Sequence, residues 1–224
     1  MCGRFAFYSP HEAVVRLFGL GPDAPEVEPR WNIAPTQYVP AVRADEAGRR
    51  TLSLLYWGLV PGWAKEKAIG ARMINARAET LAEKPSFRNA YRRRRCLVLA
   101  DGYYEWQRSG ALKQPHYIRL ASGEPFAMAG LWERWRDPQS GSPLESCTIV
   151  TTTPAASIAH LHDRMPVILS PESHGIWLDP NREQSEVIDR LLGPTGLDLA
   201  ASPVSRQVNN ARNDGPGLVE PPTE

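Results

Sequence analysis

The chain has 224 residues, 42% of them hydrophobic and 23% charged, with a formal net charge of +1 at pH 7. This composition argues against a disordered chain, and no run approaches the ~18 apolar residues that a membrane span requires. The N-terminus has no apolar run, so no signal peptide is expected. Cys2, Cys96 and Cys147 are odd in number and far apart, which predicts a reducing, cytoplasmic setting without a disulfide framework.

The first predicted element is a helix from Pro10 to about Gly19, because Ser9-Pro10-His11-Glu12 has the spacing of a capping box with proline at the first helical position. Further helical segments are predicted over 78–83, 86–93, 153–161, 170–178 and 182–192. Short apolar runs bounded by turn residues predict strands over 37–43, 51–59, 96–100, 103–106, 116–120, 125–132 and 147–152.

The predicted strands outnumber the helices and show no regular βαβ alternation. The fold class expected is therefore α+β: a single domain over residues 1–212, built on a mixed or antiparallel β-sheet that curls toward a barrel, with peripheral helices. Residues 213–224 are rich in proline and glycine and are predicted to form a C-terminal tail, mobile at its end.

A local charge imbalance is hidden in this near-neutral chain. Residues 72–95 contain eight basic and two acidic side chains, a net charge of +6. Such a cluster is typical of a face that binds an anionic partner, and equally of a solvated helix surface. The charge alone leaves both interpretations open.

Cys2 carries the most specific chemistry in the sequence. A small second residue permits removal of Met1 by methionine aminopeptidase, which would leave Cys2 with a free α-amine beside its thiol. Since an α-amine has a pKa of about 7.7–8.0, much of it is neutral at physiological pH and can attack an aldehyde. The adjacent thiol can then close a five-membered thiazolidine ring on the imine. On this residue alone, a small residue that merely follows the start codon is the simpler interpretation.

Ordered sequence blocks between residue 1 and about residue 210 favour the functional interpretation. They are Met1-Cys2-Gly3-Arg4, Trp31-Asn32-Ile33-Ala34-Pro35-Thr36, Trp57-Gly58-Leu59-Val60-Pro61, Ile74-Asn75-Ala76-Arg77-Ala78-Glu79-Thr80, Arg95-Cys96-Leu97, Gly102-Tyr103-Tyr104-Glu105-Trp106, His162-Asp163-Arg164-Met165-Pro166-Val167-Ile168-Leu169, and Val204-Ser205 with Val208-Asn209. In these blocks the chain resembles the SOS-response-associated peptidase (SRAP) family, whose members shield abasic sites in DNA. The resemblance implies a role in DNA damage repair and a catalytic set of Cys2, Asn75, Glu105 and His162.

The resemblance implies that Asn75 positions Cys2 and the bound sugar, for which a carboxamide offers donors and an acceptor. A structural cap of the turn that follows is the alternative. Glu105 is implied as a catalytic acid and base. Its aromatic, apolar neighbours in the sequence would raise its carboxyl pKa and suit it to proton transfer, although a lone glutamate in an alternating strand more commonly faces solvent.

His162 is implied to lie beside the crosslink and to assist its formation or reversal. The helix predicted over 153–161 puts His162 at a helix C-terminus, which favours the protonated imidazole; a capping histidine is the alternative. His160 lies outside the matched block and is predicted to be structural. Histidines two residues apart point to different faces of a helix and no third ligand is apparent, so neither a metal nor another cofactor is predicted.

For DNA binding, the resemblance implies that Arg4, Arg77 and Arg164 contact phosphates, for which a guanidinium fork is suited. Trp106 and Trp63 are candidates to stack on or wedge between unstacked bases, with core burial as the alternative for each. A glycine before Trp63, where the family is often bulkier, weakens that assignment. No side chain is expected to read base edges, so sequence-tolerant binding is predicted.

The leading hypothesis is a monomeric sensor that binds single-stranded DNA containing an abasic site, with no membrane partner. It would form a covalent thiazolidine crosslink through Cys2 after Met1 is removed and so protect the site from strand cleavage. One alternative is a thiol peptidase in which Cys2 is the N-terminal nucleophile and cleaves the bond after Met1. The other is a non-catalytic reader of modified bases, which leaves the N-terminal cysteine unexplained.

Overall fold

A computed structural model describes residues 2–109, 112–182 and 186–222. In these residues the chain forms β1 (Phe5–Phe7), α1 (His11–Phe18), β2 (Arg30–Ile33), β3 (Tyr38–Ala44), β4 (Arg50–Trp57), β5 (Asn75–Arg77), α2 (Arg88–Arg93), β6 (Arg95–Ala100), β7 (Gly102–Ser109), β8 (Leu112–Leu120), β9 (Phe126–Arg136), β10 (Pro143–Thr152), β11 (Met165–Pro166), β12 (Ile168–Leu169), α3 (His174–Leu178), α4 (Glu186–Arg190) and β13 (Leu199–Pro203). The described residues do not include Met1, residues 183–185 or residues 223–224. These enter, in that order, the predictions of N-terminal processing, of a helix over 182–192 and of the C-terminal tail.

Five strands close into a mixed barrel. β3 pairs with β4 and with β6, β6 pairs with β9, and β9 pairs with β10, all antiparallel; β10 closes the ring by pairing parallel to β4. Strands β5, β11 and β12 extend this sheet. All six residues of β6 are buried, as expected for a strand that has both faces covered. The predicted α+β class, with one curled mixed sheet and peripheral helices, is confirmed.

A second sheet in the order β13-β8-β7-β1-β2 covers one side of the barrel. Phe5 of β1 pairs with Tyr103 of β7, and its ring meets the fully buried Trp57 of the barrel at 5.1 Å. Gly58 follows Trp57 with a φ of 139° and would place a Cβ 2.7 Å from the carbonyl oxygen of Gly70. Only glycine fits this close approach, which packs the end of barrel strand β4 against the later segment Lys67–Arg72.

The helices are short and differ from the sequence-based expectation in two places. Helix α1 begins as predicted, but no side chain caps it, because Ser9 donates to the buried carboxylate of Asp101 instead. The helix predicted over 153–161 is wrong: this segment contains turns closed by i to i+3 bonds, from Ile158 to Ala155 and from Leu161 to Ile158. None of the described helices combines the length and the apolar character needed to cross a membrane.

The segment assigned from the sequence to a tail makes specific contacts over its described part. The carboxylate of Asp214 accepts a hydrogen bond from the backbone N–H of Trp31 at 2.6 Å, and Leu218 is buried against Tyr104 and Tyr117. Residues 213–219 therefore pack on the second sheet rather than extend from it.

A buried histidine makes the stability of the fold pH-dependent. His174 is 2% exposed and stacks on Phe18, and burial, assisted by the charge of Arg50, lowers its pKa to about 4. Between pH 6.5 and 4 the unfolded chain binds a proton that the folded chain does not, so this residue is expected to cost up to about 3 kcal/mol of stability as the pH falls through that window. In urea unfolding at pH 7 and pH 4.5, His174→Phe should lose less stability than the wild type. An equal loss in both proteins would refute this.

Candidate active site around Cys2

Cys2 lies where the second sheet meets the barrel. It precedes β1, and its carbonyl oxygen accepts a hydrogen bond of 2.8 Å from the side-chain amide of Asn75 on β5. Asn75 is held in turn by the parallel pairing of β5 with β10, opposite Ile149. The structure thus brings together two predicted site residues that are 73 positions apart, and Asn75 bonds to Cys2 rather than capping the following turn.

The Cys2 side chain has no exposed surface. Burial, and after it the negative charge of Glu105, raises the pKa of the Cys2 thiol. The thiol is therefore held in its protonated form, and a base is needed before it can act as a thiolate nucleophile.

Glu105 is a carboxylate whose charge acts on the Cys2 thiol. It lies on β7 and is 3% exposed, so the alternative that it faces solvent is wrong. Burial raises the pKa of its carboxyl group, and the positive charge of His162 is among the influences that lower it. A carboxyl group that titrates above its ordinary range can both accept and return a proton under mild conditions.

His162 joins the site from a loop, not from the end of a helix. Its Nδ1 atom lies 3.0 Å from the backbone nitrogen of Arg164, which donates to it, and 2.8 Å from a carboxylate oxygen of Asp163. The prediction that His162 lies at a helix C-terminus is therefore wrong, and its contacts are these local ones. The charge of His162 still acts on the Glu105 carboxyl group.

Two of the predicted DNA-binding residues are held by one short segment, residues 206–209. The guanidinium of Arg4 donates to the carbonyl oxygen of Val208 and to the side chain of Asn32, both at 2.7 Å. The indole nitrogen of Trp106 donates to Asn209, also at 2.7 Å. Arg4 and Trp106 therefore lie side by side, each partly exposed and each fixed in orientation.

Arg77 and Arg164 both lie beside Thr151 of β10. Arg77 ends β5 opposite Thr151 and is exposed. Arg164 donates to the carbonyl oxygen of Thr151 at 2.5 Å, and both of its terminal nitrogens bind the Glu79 carboxylate, at 2.6 and 3.0 Å. Arg77 is thus exposed, whereas the fork of Arg164 holds an internal carboxylate. Glu79, inside a matched block but not selected from it, is a site residue that the sequence did not reveal.

The remaining basic and aromatic candidates lie on other elements of the fold. Trp63 is 61% exposed on the loop after β4. Arg95 is buried and donates to five backbone carbonyl oxygens, those of Tyr91, Arg92, Trp177, Asp179 and Arg182. Arg94 pairs with Glu133 at 2.8 Å. Part of the basic cluster is therefore structural, and its exposed members include Arg88 and Arg92.

Fold and site together define a class of protein: a small α+β barrel domain with a buried cysteine at position 2, a carboxamide and a carboxylate beside it, and arginines at the rim. A family model for SOS response associated peptidase (SRAP) matches residues 1–211. The chain belongs to this SRAP family.

Individual relatives agree with that assignment. The chain is 44% identical over 224 residues to the abasic site processing protein YoqW of Bacillus subtilis, covering 98% of this chain and 99% of YoqW. It is 33% identical to the abasic site processing protein YedK of Escherichia coli, covering 99% and 100% of the two chains. A crystal structure of a protein from Bacteroides thetaiotaomicron superposes with a TM-score of 0.87 at 26% identity, covering 99% of this chain and 100% of that one.

Proposed function

We propose that this protein captures abasic sites in single-stranded DNA as a covalent thiazolidine at Cys2, once Met1 has been removed. The observation that carries the proposal is the grouping of Cys2, Asn75 and Glu105 at one place in the fold. The names of the relatives YoqW and YedK, abasic site processing proteins, indicate the same target. A DNA target also fits the cytoplasmic setting that the sequence predicts.

The chemistry needs both functional groups of an N-terminal cysteine. The α-amine of Cys2 adds to the C1′ aldehyde of the ring-opened sugar, and the carbinolamine loses one water to give a Schiff base. The thiol then adds to the imine carbon, a C–S bond forms, and the thiol proton passes to nitrogen. Because a Schiff base at C1′ makes the 3′ phosphate prone to β-elimination, ring closure protects the strand.

Each neighbouring residue has a role in these steps. Asn75 fixes the Cys2 backbone through their 2.8 Å hydrogen bond. Glu105 accepts and returns the protons that the amine and the thiol release, and His162 protonates a departing oxygen. Since the Cys2 side chain is fully buried, the reaction requires the segment at Cys2 to become accessible, and removal of Met1 is the step that exposes its α-amine.

The DNA strand would pass over the rim of the site. Arg77 offers a phosphate contact and Trp106 a stacking surface. Arg4 and Arg164 already bind internal acceptors, so each would exchange one of these bonds for a phosphate. Trp63 would meet bases farther along the strand. Such contacts do not read base edges and would accept any sequence.

The test is to mix the purified, processed protein with a single-stranded oligonucleotide that carries one abasic site. A heat-stable adduct should appear on a denaturing gel, and an undamaged oligonucleotide should give none. A non-catalytic reader would instead bind reversibly and leave no adduct, which would refute the proposal.

Glu79 is expected to weaken DNA binding, because it occupies the fork of Arg164. Glu79→Gln removes one negative charge and loosens the bidentate pair, so undamaged single-stranded DNA should bind several-fold tighter. One additional phosphate contact would steepen the plot of log K against log salt by about 0.7. A salt titration of the Kd measures both effects, with the exposed neighbour Glu83 changed to glutamine as control. Weaker binding would show instead that Glu79 is needed to hold Arg164 in place.

A further inference from the structure

One exposed row of basic side chains has no part in the reaction proposed at Cys2. Helix α2 and the turn before it contribute Lys84, Arg88 and Arg92, which follow one another at intervals of four residues. The backbone N–H of Arg88 donates to the carbonyl oxygen of Lys84 at 2.9 Å, so the turn before α2 is itself helical. Residues four apart lie on the same side of a helix, about 6 Å apart along its axis. The three cations therefore form one row along α2.

The charges of this row are not used inside the protein. In the same segment, Arg94 pairs with Glu133 and Arg95 binds backbone carbonyl oxygens. The side chains of the three row residues are exposed, and within the described part of the chain none of them donates a hydrogen bond or joins an ion pair. Residues 84–94 contain five basic side chains and no acidic one, so the segment does not neutralise its own charge.

A cavity of about 350 Å³ adjoins this row and is lined by Asn89, Arg92, Arg93 and Arg94. Each of these side chains carries N–H donors, and the carboxamide of Asn89 supplies the lining's only side-chain acceptor. Guanidinium groups gathered around a concave surface suit a phosphate group, which accepts paired N–H bonds. The cavity is therefore a candidate anion site.

The kind of anion follows from what this surface lacks. The large apolar side chains that are exposed in the described residues are Tyr38, Leu54, Trp63 and Val187, and none of them lies within residues 84–94. Protein partners usually bury an apolar centre that excludes charged residues, whereas a phosphate backbone is bound by cations alone. The row therefore fits nucleic acid better than an acidic protein.

An acidic cleft lies between α2 and the candidate site. It has a volume of about 470 Å³, and its lining includes Glu79, Glu83, Tyr91 and Asp189. Glu79 is the residue that binds Arg164, and Tyr91 belongs to α2, so the cleft adjoins both regions. Because its carboxylates repel phosphates, DNA would reach the row with a segment other than the one held at Cys2.

We propose that Lys84, Arg88 and Arg92, with the cavity at Asn89, form a second contact surface for the phosphate backbone of DNA, separate from the site at Cys2. This inference rests on the proposed function only in taking DNA as the partner. The surface adds affinity for long strands, independent of base sequence and of damage.

The test compares two lengths of undamaged single-stranded DNA, about 6 nucleotides, within the footprint of one small domain, and about 30 nucleotides. The double variant Arg88→Gln/Arg92→Gln should bind the long strand about 10-fold more weakly than the wild type at about 0.1 M salt. Loss of two phosphate contacts should lower the slope of log K against log salt by about 1.4. The short strand should bind equally to both proteins, and a short abasic oligonucleotide should give both the same adduct yield.

The matched control is Arg16→Gln/Arg119→Gln, which removes two exposed arginines from α1 and β8 and should bind the long strand like the wild type. Unchanged binding of the long strand by the α2 variant would overturn the inference. So would equal weakening on both lengths, which would put the row inside the site at Cys2, or equal weakening by the control, which would leave only an effect of net charge. A wild type that shows this length dependence but forms no adduct would refute the proposed function and leave the second contact surface standing.

Discussion

Cys2→Ala should give no heat-stable adduct with an abasic oligonucleotide. Alanine is small enough for Met1 still to be removed, so the variant keeps a free α-amine and can form the imine, but it has no thiol to close the ring. We expect the yield of stable adduct on a denaturing gel to fall by more than about 10³-fold, since the intramolecular nucleophile cannot be replaced from solution. The imine that remains should also raise the fraction of cleaved strands.

Two controls separate this loss from misfolding. Cys96→Ala removes another fully buried cysteine, one that lies on barrel strand β6, and should leave the yield at the wild-type level. Borohydride added to the Cys2→Ala reaction should trap an amine-linked adduct, because DNA binding and imine formation are intact. A heat-stable adduct from unreduced Cys2→Ala would show that the thiol has no part in the crosslink.

Glu105→Gln should slow adduct formation about 10²-fold, at the lower end of the range for general acid–base catalysis. Glutamine keeps the size of the side chain but cannot accept a proton. Because burial raises the pKa of the Glu105 carboxyl, the wild-type rate should fall as the pH is lowered through a titration above the ordinary carboxyl value of about 4.3. The variant should lack this step and keep only the titration of the α-amine. Single-turnover rates between pH 4.5 and 8.5 measure both.

Glu105→Gln should bind undamaged single-stranded DNA as the wild type does. Glu124→Gln, which changes an exposed glutamate elsewhere in the chain, should form the adduct at the wild-type rate. An unchanged rate in Glu105→Gln would remove this residue from the mechanism. The intact mass of the same variant bears on the peptidase alternative: retention of Met1 would support self-processing, and normal loss would indicate trimming by an aminopeptidase.

Much of the fold could be predicted from the sequence, because its strands are short apolar runs separated by turn residues. The barrel strands β3, β4, β6, β9 and β10 were all expected near their observed positions. The closure of the barrel was not, since it depends on β10 pairing with β4 in parallel as well as with β9. Pairings between distant strands leave no local pattern in a sequence.

The candidate site, too, could be predicted from the sequence only in part. The resemblance in the matched blocks names Cys2, Asn75 and Glu105, and the structure brings these three together. The helix predicted before His162 was wrong because Thr153-Pro154 is a helix start signal that no periodic apolar segment follows. The backbone N–H of Ala155 donates to the sulfur of Met165. The pairing of Glu79 with Arg164, 85 residues away, had no sequence signal beyond opposite charge.

The central claim is that a cysteine aminothiol at the start of the processed chain captures the aldehyde of an abasic site. The most direct test is the intact mass of the adduct, followed by fragmentation to locate the modified residue. The expected mass is that of the chain without Met1 plus the oligonucleotide, less one water, with the added mass on Cys2. An adduct that retains Met1, or one attached to a lysine or to another cysteine, would contradict the claim.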